Sequence, residues 1–286
     1  MSTTLQTEIE ASWERYRADE VTAETATPSD LKPLDDFLGA LERGEIRAAE
    51  PDGKGDRTAT RWAVNEWVKR GILLNFSLRR TQPREYGGVT YHDVLPLRRT
   101  GDLLERGTRN TPDGTTIRRG VFIGDDAILM SPSFVNIGAH VGDGALVDSC
   151  DTVGSCAQVG ENVKLGANTL VGGVLEPVED APVIIEDDVS IGAGCRITSG
   201  FVVGEGSVVG ENTLLSPRLP VYDLVDDEIV SGYIPPRRRV FTRFVESTVA
   251  DHELFGNAGA YKPAIVATDL NDDTLDATAR EAALRE

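Results

Sequence analysis

Residues 134–165 read FVNIGAHVGDGALVDSCDTVGSCAQVGENVKL, and they divide into hexads whose second member is always aliphatic. Val135, Val141, Val147, Val153, Val159 and Leu165 hold that register. It runs back through Leu129 and Ile123 to Ile117, forward to Val171, and resumes at Ile185, Ile191, Ile197, Val203, Val209 and Leu215. A period of six matches neither a helix, at about 3.6, nor a lone strand, at about 2. It matches a left-handed parallel β-helix, a solenoid in which each hexad is one short strand and a corner. The aliphatic points inward, and three hexads make one triangular coil. Glycine follows the aliphatic at nine of the sixteen hexads, among them Gly124, Gly142, Gly154, Gly160, Gly166 and Gly204, which reads as a residue that helps the backbone turn without a Cβ clash. Four residues after the aliphatic the side chain is often small, as at Ala139, Ala145, Ala157 and Thr169.

The flanks read differently. Residues 1–108 lack the hexads and form a small α/β cap, residues 109–235 form the solenoid, and residues 236–286 form a strand region with an acidic tail. Within the cap, Thr7–Ala18 reads as helix. Ser29 reads as the cap of a second helix that Gly44 ends. The stretch 61–79, RWAVNEWVKRGILLNFSLR, reads as helix passing into an apolar strand. Gly87-Gly88 marks a turn before the alternating run VTYHDVLPLR. Residues 109–116 read as a turn-rich linker. The register break at 172–184, GGVLEPVEDAPVI, reads as a loop bulging from one corner, and therefore as a functional candidate.

The chain has 286 residues and a formal charge of −18, with five lysines against twenty-four arginines. That charge argues against a nucleic-acid partner. Abundant carboxylates with few lysines also suit a protein adapted to high salt, where screening relieves self-repulsion. No apolar run is long enough to cross a membrane, and the polar, acidic N-terminus MSTTLQTEIE is unlike a signal peptide, so the expected compartment is the cytoplasm. Cys150, Cys156 and Cys195 all fall within hexads and read as small buried side chains rather than a disulfide framework. No CxxC or HxxxH spacing suggests a metal site.

More specific words sit inside the repeat. MSPSFVNIGAHVGDGALVDS (130–149), TVGSCAQVGENVKL (152–165) and GGVLEPVEDAPVIIEDD (172–188), with RWAVNEWVKRGILLNFSL (61–78) and YHDVLPLR (91–98) in the cap, resemble one hexapeptide-repeat family. That family is the 2,3,4,5-tetrahydropyridine-2,6-dicarboxylate N-succinyltransferases of lysine and diaminopimelate biosynthesis. The resemblance covers roughly residues 5–265. It implies a homotrimer with active sites in clefts between neighbouring solenoids. It implies succinyl-CoA as co-substrate, no tightly bound cofactor and no metal. The implied reaction is succinyl transfer to the amino group of ring-opened tetrahydrodipicolinate. An acetyl-CoA-dependent relative and a non-catalytic trimeric scaffold are the alternatives.

Asp148 is the leading catalytic candidate, because it stands where glycine usually follows the aliphatic. The fold demands no carboxylate there, whereas an amine nucleophile needs one to hold and deprotonate it. The resemblance places Asp148 on the substrate amine and Arg109 on a substrate carboxylate, a match for a planar fork of donors. Arg118 and Arg119 are weaker candidates, separated from Arg109 by one residue more than the family pattern. Asn136, also at a glycine position, lines either the cleft or a polar corner, and Ser155 and Gln158 read likewise. Glu176 in the bulge is a further substrate-binding candidate. Arg196 stands where the family has a glutamate, so Asp151 or Glu176 would have to replace that carboxylate, or Arg196 itself binds one. His140 is a rival base, while His92 and His252 lie outside the hexads. The CoA arm is expected along Ala193, Gly194, Ser199 and Gly204, with Lys262 and the arginines 237–239 near its phosphates.

Overall fold

The computed structural model describes residues 2–52, 62–98, 100–112, 114–247 and 260–271, with residues 253, 274, 278 and 283 in isolation. All sixteen hexads form two-residue strands, from Thr116–Ile117 to Leu214–Leu215, and each of the first thirteen pairs in parallel with the one eighteen or twenty-six residues on. They stack into three faces. The first face holds the strands ending at Ile117, Val135, Val153, Val171, Ile197 and Leu215. The second holds those ending at Ile123, Val141, Val159, Ile185 and Val203, and the third those ending at Leu129, Val147, Leu165, Ile191 and Val209. The chain visits the faces in the order first, second, third. The aliphatic register fills the interior, where Val135, Val141, Val147, Val153, Val159 and Leu165 are fully buried and form one continuous core.

The solenoid extends beyond the hexads at both ends. Arg109–Asn110 is already a rung of the third face, paired with Ile128–Leu129, and not a linker. At the far end Tyr233–Ile234 continues the second face and Arg238–Glu246 the third. The latter strand turns back antiparallel as Tyr261–Asp269.

The post-aliphatic glycines serve a purpose other than turning. Gly142 and Gly160 do not have positive φ, and a Cβ on Gly142 would lie 2.6 Å from the carbonyl carbon of Gly160 in the next coil. Close backbone approach is what excludes a side chain there. The left-handed residue lies two positions later, where Gly144, Asn162, Asn168 and Asp188 carry φ of 55–64° and Cys150 and Cys156 carry 65° and 66°. Cys150 is exposed, contrary to its reading as a buried residue, whereas Cys156 at the equivalent hexad position is buried in the apolar cluster of the cap.

The cap is built around three helices: α1 (Ser2–Arg17), α2 (Pro28–Glu42) and α3 (Glu66–Ser77). Thr27, rather than Ser29, begins α2, and the Asp30 carboxylate reaches back to the Thr27 N–H at 2.9 Å. The run ILLNF is helical, because Val68, Ile72 and Leu74 pack against Phe37 and Leu38 of α2 in one apolar cluster. Trp62–Val64 precedes α3 as a short strand paired with Ala49–Pro51. Gln82–Tyr86 and Val89–Asp93 form the hairpin that Gly87-Gly88 announces. The cap lies over the second face. Arg47 Nε donates to Gln158 Oε1 at 3.0 Å, Trp62 Nε1 to Glu186 Oε1 at 3.1 Å, and Glu42 accepts from Arg119 Nε at 2.6 Å. The first face stays bare, with Leu170 and Leu214 exposed beside Arg196. The acidic tail reading and His252 lie outside the described residues.

Candidate functional site

Several of the residues singled out in the sequence, among them Asp148, Asn136, Ser155 and Glu176, lie along the two long edges of the first face. One edge is the corner between the third and first faces. Here Asp148 is half-buried, and its Oδ1 accepts the Ser149 N–H at 2.6 Å. One coil below stands Met130, whose sulfur lies 3.7 Å from Arg109 Nη2. Arg109 is exposed and has no carboxylate partner among the described residues, so its fork is available to a ligand.

Asp151 closes this corner from inside. It occupies the small-residue position of its hexad and is 1% exposed. Its Oδ2 accepts the Asp148 N–H and its Oδ1 the Thr169 N–H, both at 2.7 Å. Burial pushes its pKa up to about 8, against the pull of those two backbone donors, with the Asp148 charge adding to the rise. The Asp151 carboxyl faces inward and is occupied by these two amides, so it does not reach the first face.

The opposite edge is the corner between the first and second faces, and here the 172–183 loop bulges. Asn136 Nδ2 donates to Ser155 Oγ at 2.9 Å, and Arg118 Nη1 donates to Asn136 Oδ1 at 3.3 Å. Arg118 is held in turn by Asp93 of the cap at 2.5 Å and lies 5.4 Å over the Phe76 ring. Above them an open groove of 630 Å3 is lined by Gly172, Gly173, Glu176, Thr198, Ser199 and Arg218. Glu176 is exposed in that loop. The ammonium of Lys69, fully buried in α3, anchors the loop by donating to the Asp180 carbonyl. Burial holds the Lys69 pKa below its ordinary value.

Arg196 lies on the first face itself, exposed, with Nη1 donating to the Gly194 carbonyl at 2.9 Å. The cofactor candidates are scattered. Ala193 and Gly194 belong to the Asp148 corner, Ser199 to the groove, and Gly204 to the third corner, where it is buried. A ligand lying along one edge cannot touch all of them. Lys262 is exposed on the C-terminal hairpin. His140 sits on the second face under the cap, stacked on Phe122 at 4.3 Å. Burial, and then Arg47, push its pKa down to about 3, so it is neutral and remote from the Asp148 corner. Gln158 is buried against Arg47 and takes no part in either edge.

Reading the sequence underrated Arg118 and missed Lys69. Arg118 carried the signal that flagged Asp148 and Asn136, a polar residue at a glycine position. Lys69 carried none, because a lysine in WVKRG reads as solvated on any amphipathic helix.

The N-terminal residues 4–78 match the family description "tetrahydrodipicolinate N-succinyltransferase N-terminal", and residues 182–217 match "bacterial transferase hexapeptide (six repeats)". A 2,3,4,5-tetrahydropyridine-2,6-dicarboxylate N-succinyltransferase of Methylobacterium sp. (strain 4-46) is 42% identical over 234 residues, 80% of each chain. One from Polynucleobacter asymbioticus is 37% identical over the whole of both chains. Among solved structures, a hexapeptide transferase family protein from Anaplasma phagocytophilum is 13% identical with a TM-score of 0.43, covering 70% of this chain and 91% of its own. Cap, repeat and full-length similarity agree, and the chain belongs to the tetrahydrodipicolinate N-succinyltransferase family.

Proposed function

We propose that this protein transfers a succinyl group from succinyl-CoA to the amino group of 2-amino-6-oxopimelate, the ring-opened form of tetrahydrodipicolinate, in lysine and diaminopimelate biosynthesis. The observation that carries the reading is Asp148, an outward carboxylate at a corner where the repeat calls for glycine. The thioester is already an activated acyl donor, so the protein's task is to bring amine and carbonyl together and to remove a proton. Asp148 holds the substrate ammonium and takes its proton. The free amine then attacks the thioester carbonyl; a C–N bond forms, the C–S bond breaks, and CoA leaves as the thiol once protonated. Arg109, unpaired and exposed, binds one substrate carboxylate. Arg196 supplies a second cation on the adjoining first face, which suits a dicarboxylate acceptor and a succinyl rather than an acetyl donor.

The distribution of these groups favours a homotrimer. Asp148 and Arg109 lie on one edge of the first face, Asn136 and Glu176 on the other, with exposed Leu170 and Leu214 between. Cyclic packing of identical prisms sets one edge of a subunit against the opposite edge of the next, and so completes the site from two half-sites.

The test is release of CoA, followed with a thiol reagent, with 2-aminopimelate as acceptor and succinyl-CoA or acetyl-CoA as donor, at low and molar KCl. Turnover with succinyl-CoA that Asp148→Asn abolishes is the expected result. A folded protein that releases no CoA from either donor at either salt level overturns the reading.

A further inference from the structure

The corner at Asp148 breaks a hydrogen-bond rule that the rest of the solenoid keeps. At each regular corner the N–H of the post-aliphatic residue donates to the aliphatic carbonyl of the coil above. Gly142 donates to Val159, Gly154 to Val171, Gly160 to Ile185, Gly166 to Ile191, and Met130 and Asn136 to Val147 and Val153, all at 2.8–2.9 Å. By that rule the Asp148 N–H belongs on the Leu165 carbonyl. It donates instead to Asp151 Oδ2 at 2.7 Å. The second oxygen of Asp151 captures the Thr169 N–H, although equivalent residues such as Ala145 and Ala157 donate back within their own corner. One carboxyl thus replaces two backbone contacts and links two coils.

The slot that holds it makes the arrangement informative. Other hexads fill the same inward position with Ala139, Ala145, Ala157, Cys195, Ser207 or Thr213, all buried. Putting a carboxyl there costs desolvation that an alanine would not. The corner one coil below, 130–133, and the one above, 166–169, carry no ionisable side chain, and among the described residues Asp148 is the charged group that bears on Asp151 electrostatically.

We infer that Asp151 is a positioning residue for Asp148: by drawing the Asp148 amide inward it takes that amide off the Leu165 carbonyl and sets the direction in which the Asp148 carboxylate points. The inference rests on Asp148 acting at the substrate amine. In Asp151→Ala the amide returns to Leu165, the corner becomes regular, and the Asp148 carboxylate shifts. A displacement of about 1 Å at a reacting group costs on the order of 10²-fold in rate.

The test measures kcat and KM for succinyl-CoA in Asp151→Ala and Asp151→Asn, with a crystal structure of the alanine variant. Expected are a kcat at least about tenfold lower in Asp151→Ala with KM within about twofold, and a smaller loss in Asp151→Asn, which keeps one acceptor oxygen. The structure should show the Asp148 N–H on the Leu165 carbonyl. Wild-type kcat in both variants, or an Asp148 amide that stays away from Leu165 without Asp151, overturns the inference. Asp148→Asn run in parallel separates the two ideas. Full activity in that variant sinks the functional reading, and the crystal structure then still decides whether Asp151 orients the corner.

Discussion

The corners at Gly160 and Asp148 are twelve residues apart and built on one six-residue rule, yet they are opposite in character. At Gly160 the coils lie so close that a Cβ would stand 2.7 Å from the Asp187 nitrogen and 2.8 Å from the Glu186 carbonyl carbon. The Gly160 amide closes the ladder onto Ile185. At Asp148 the same position carries a side chain, and a buried carboxyl has taken its amide out of that ladder. The difference teaches that obedience to the repeat is structural and departure from it is chemical. Asp148, Asn136 and Arg118 all stand where a glycine would have sufficed.

The comparison can be broken at either corner. The largest effect belongs to the chemical one: Asp148→Asn should lower kcat at least about 10²-fold, the usual worth of a positioned proton acceptor, with an unchanged melting temperature. Activity within tenfold of wild type would remove Asp148 from the mechanism. The structural corner should show the reverse. Gly160→Ala forces backbone atoms apart and should cost about 1–3 kcal/mol, read as a fall of several degrees in melting temperature, with kcat per folded molecule retained. An unshifted transition would mean that the coils are not in close contact there.

How far the sequence foretold this follows from the same contrast. A strict period exposed the solenoid, because every inward aliphatic meets equivalents above and below and cannot vary freely. Asp148 and Asn136 stood out against it for the same reason. The cap had no such background. The run ILLNF could not be told from a strand by its apolar character alone, and its helix is fixed by contacts with Phe37 and Leu38. Asp151 was visible only as one more carboxylate, since its inward direction depends on the fold of its corner. The proposed CoA path failed to coincide with one edge because successive hexads turn onto successive corners, so neighbours in sequence such as Ser199 and Gly204 are on different sides of the prism.

Two smaller effects sharpen the contrast. Burial raises the Asp151 pKa to about 8 in the folded protein, above the ordinary aspartate value of 3.8. Between those values the unfolded chain binds fewer protons than the folded one, so stability falls as pH rises through that window and levels off above it. Melting temperatures from about pH 5 to pH 8 should therefore decline more in wild type than in Asp151→Ala. Parallel curves would show that Asp151 is already ionised. Among the cysteines, burial pushes Cys156 up to about 12 and Cys195 up to about 11, while Cys150 is exposed. A thiol reagent should label one cysteine per native chain, at Cys150; labelling of Cys195 under native conditions would contradict the closed core.

The central claim is that the two edges of the first face are halves of one site, joined between copies of the chain. The most direct measurement mixes two inactive variants, Asp148→Asn and the double variant Asn136→Ala, Glu176→Gln, by co-refolding, and assays succinyl-CoA-dependent CoA release. If each site takes one edge from each of two subunits, about a quarter of the sites in a random mixture carry two intact edges, and activity should recover to that fraction of wild type. Mixtures as inactive as their components, or a double variant already active alone, would contradict the claim.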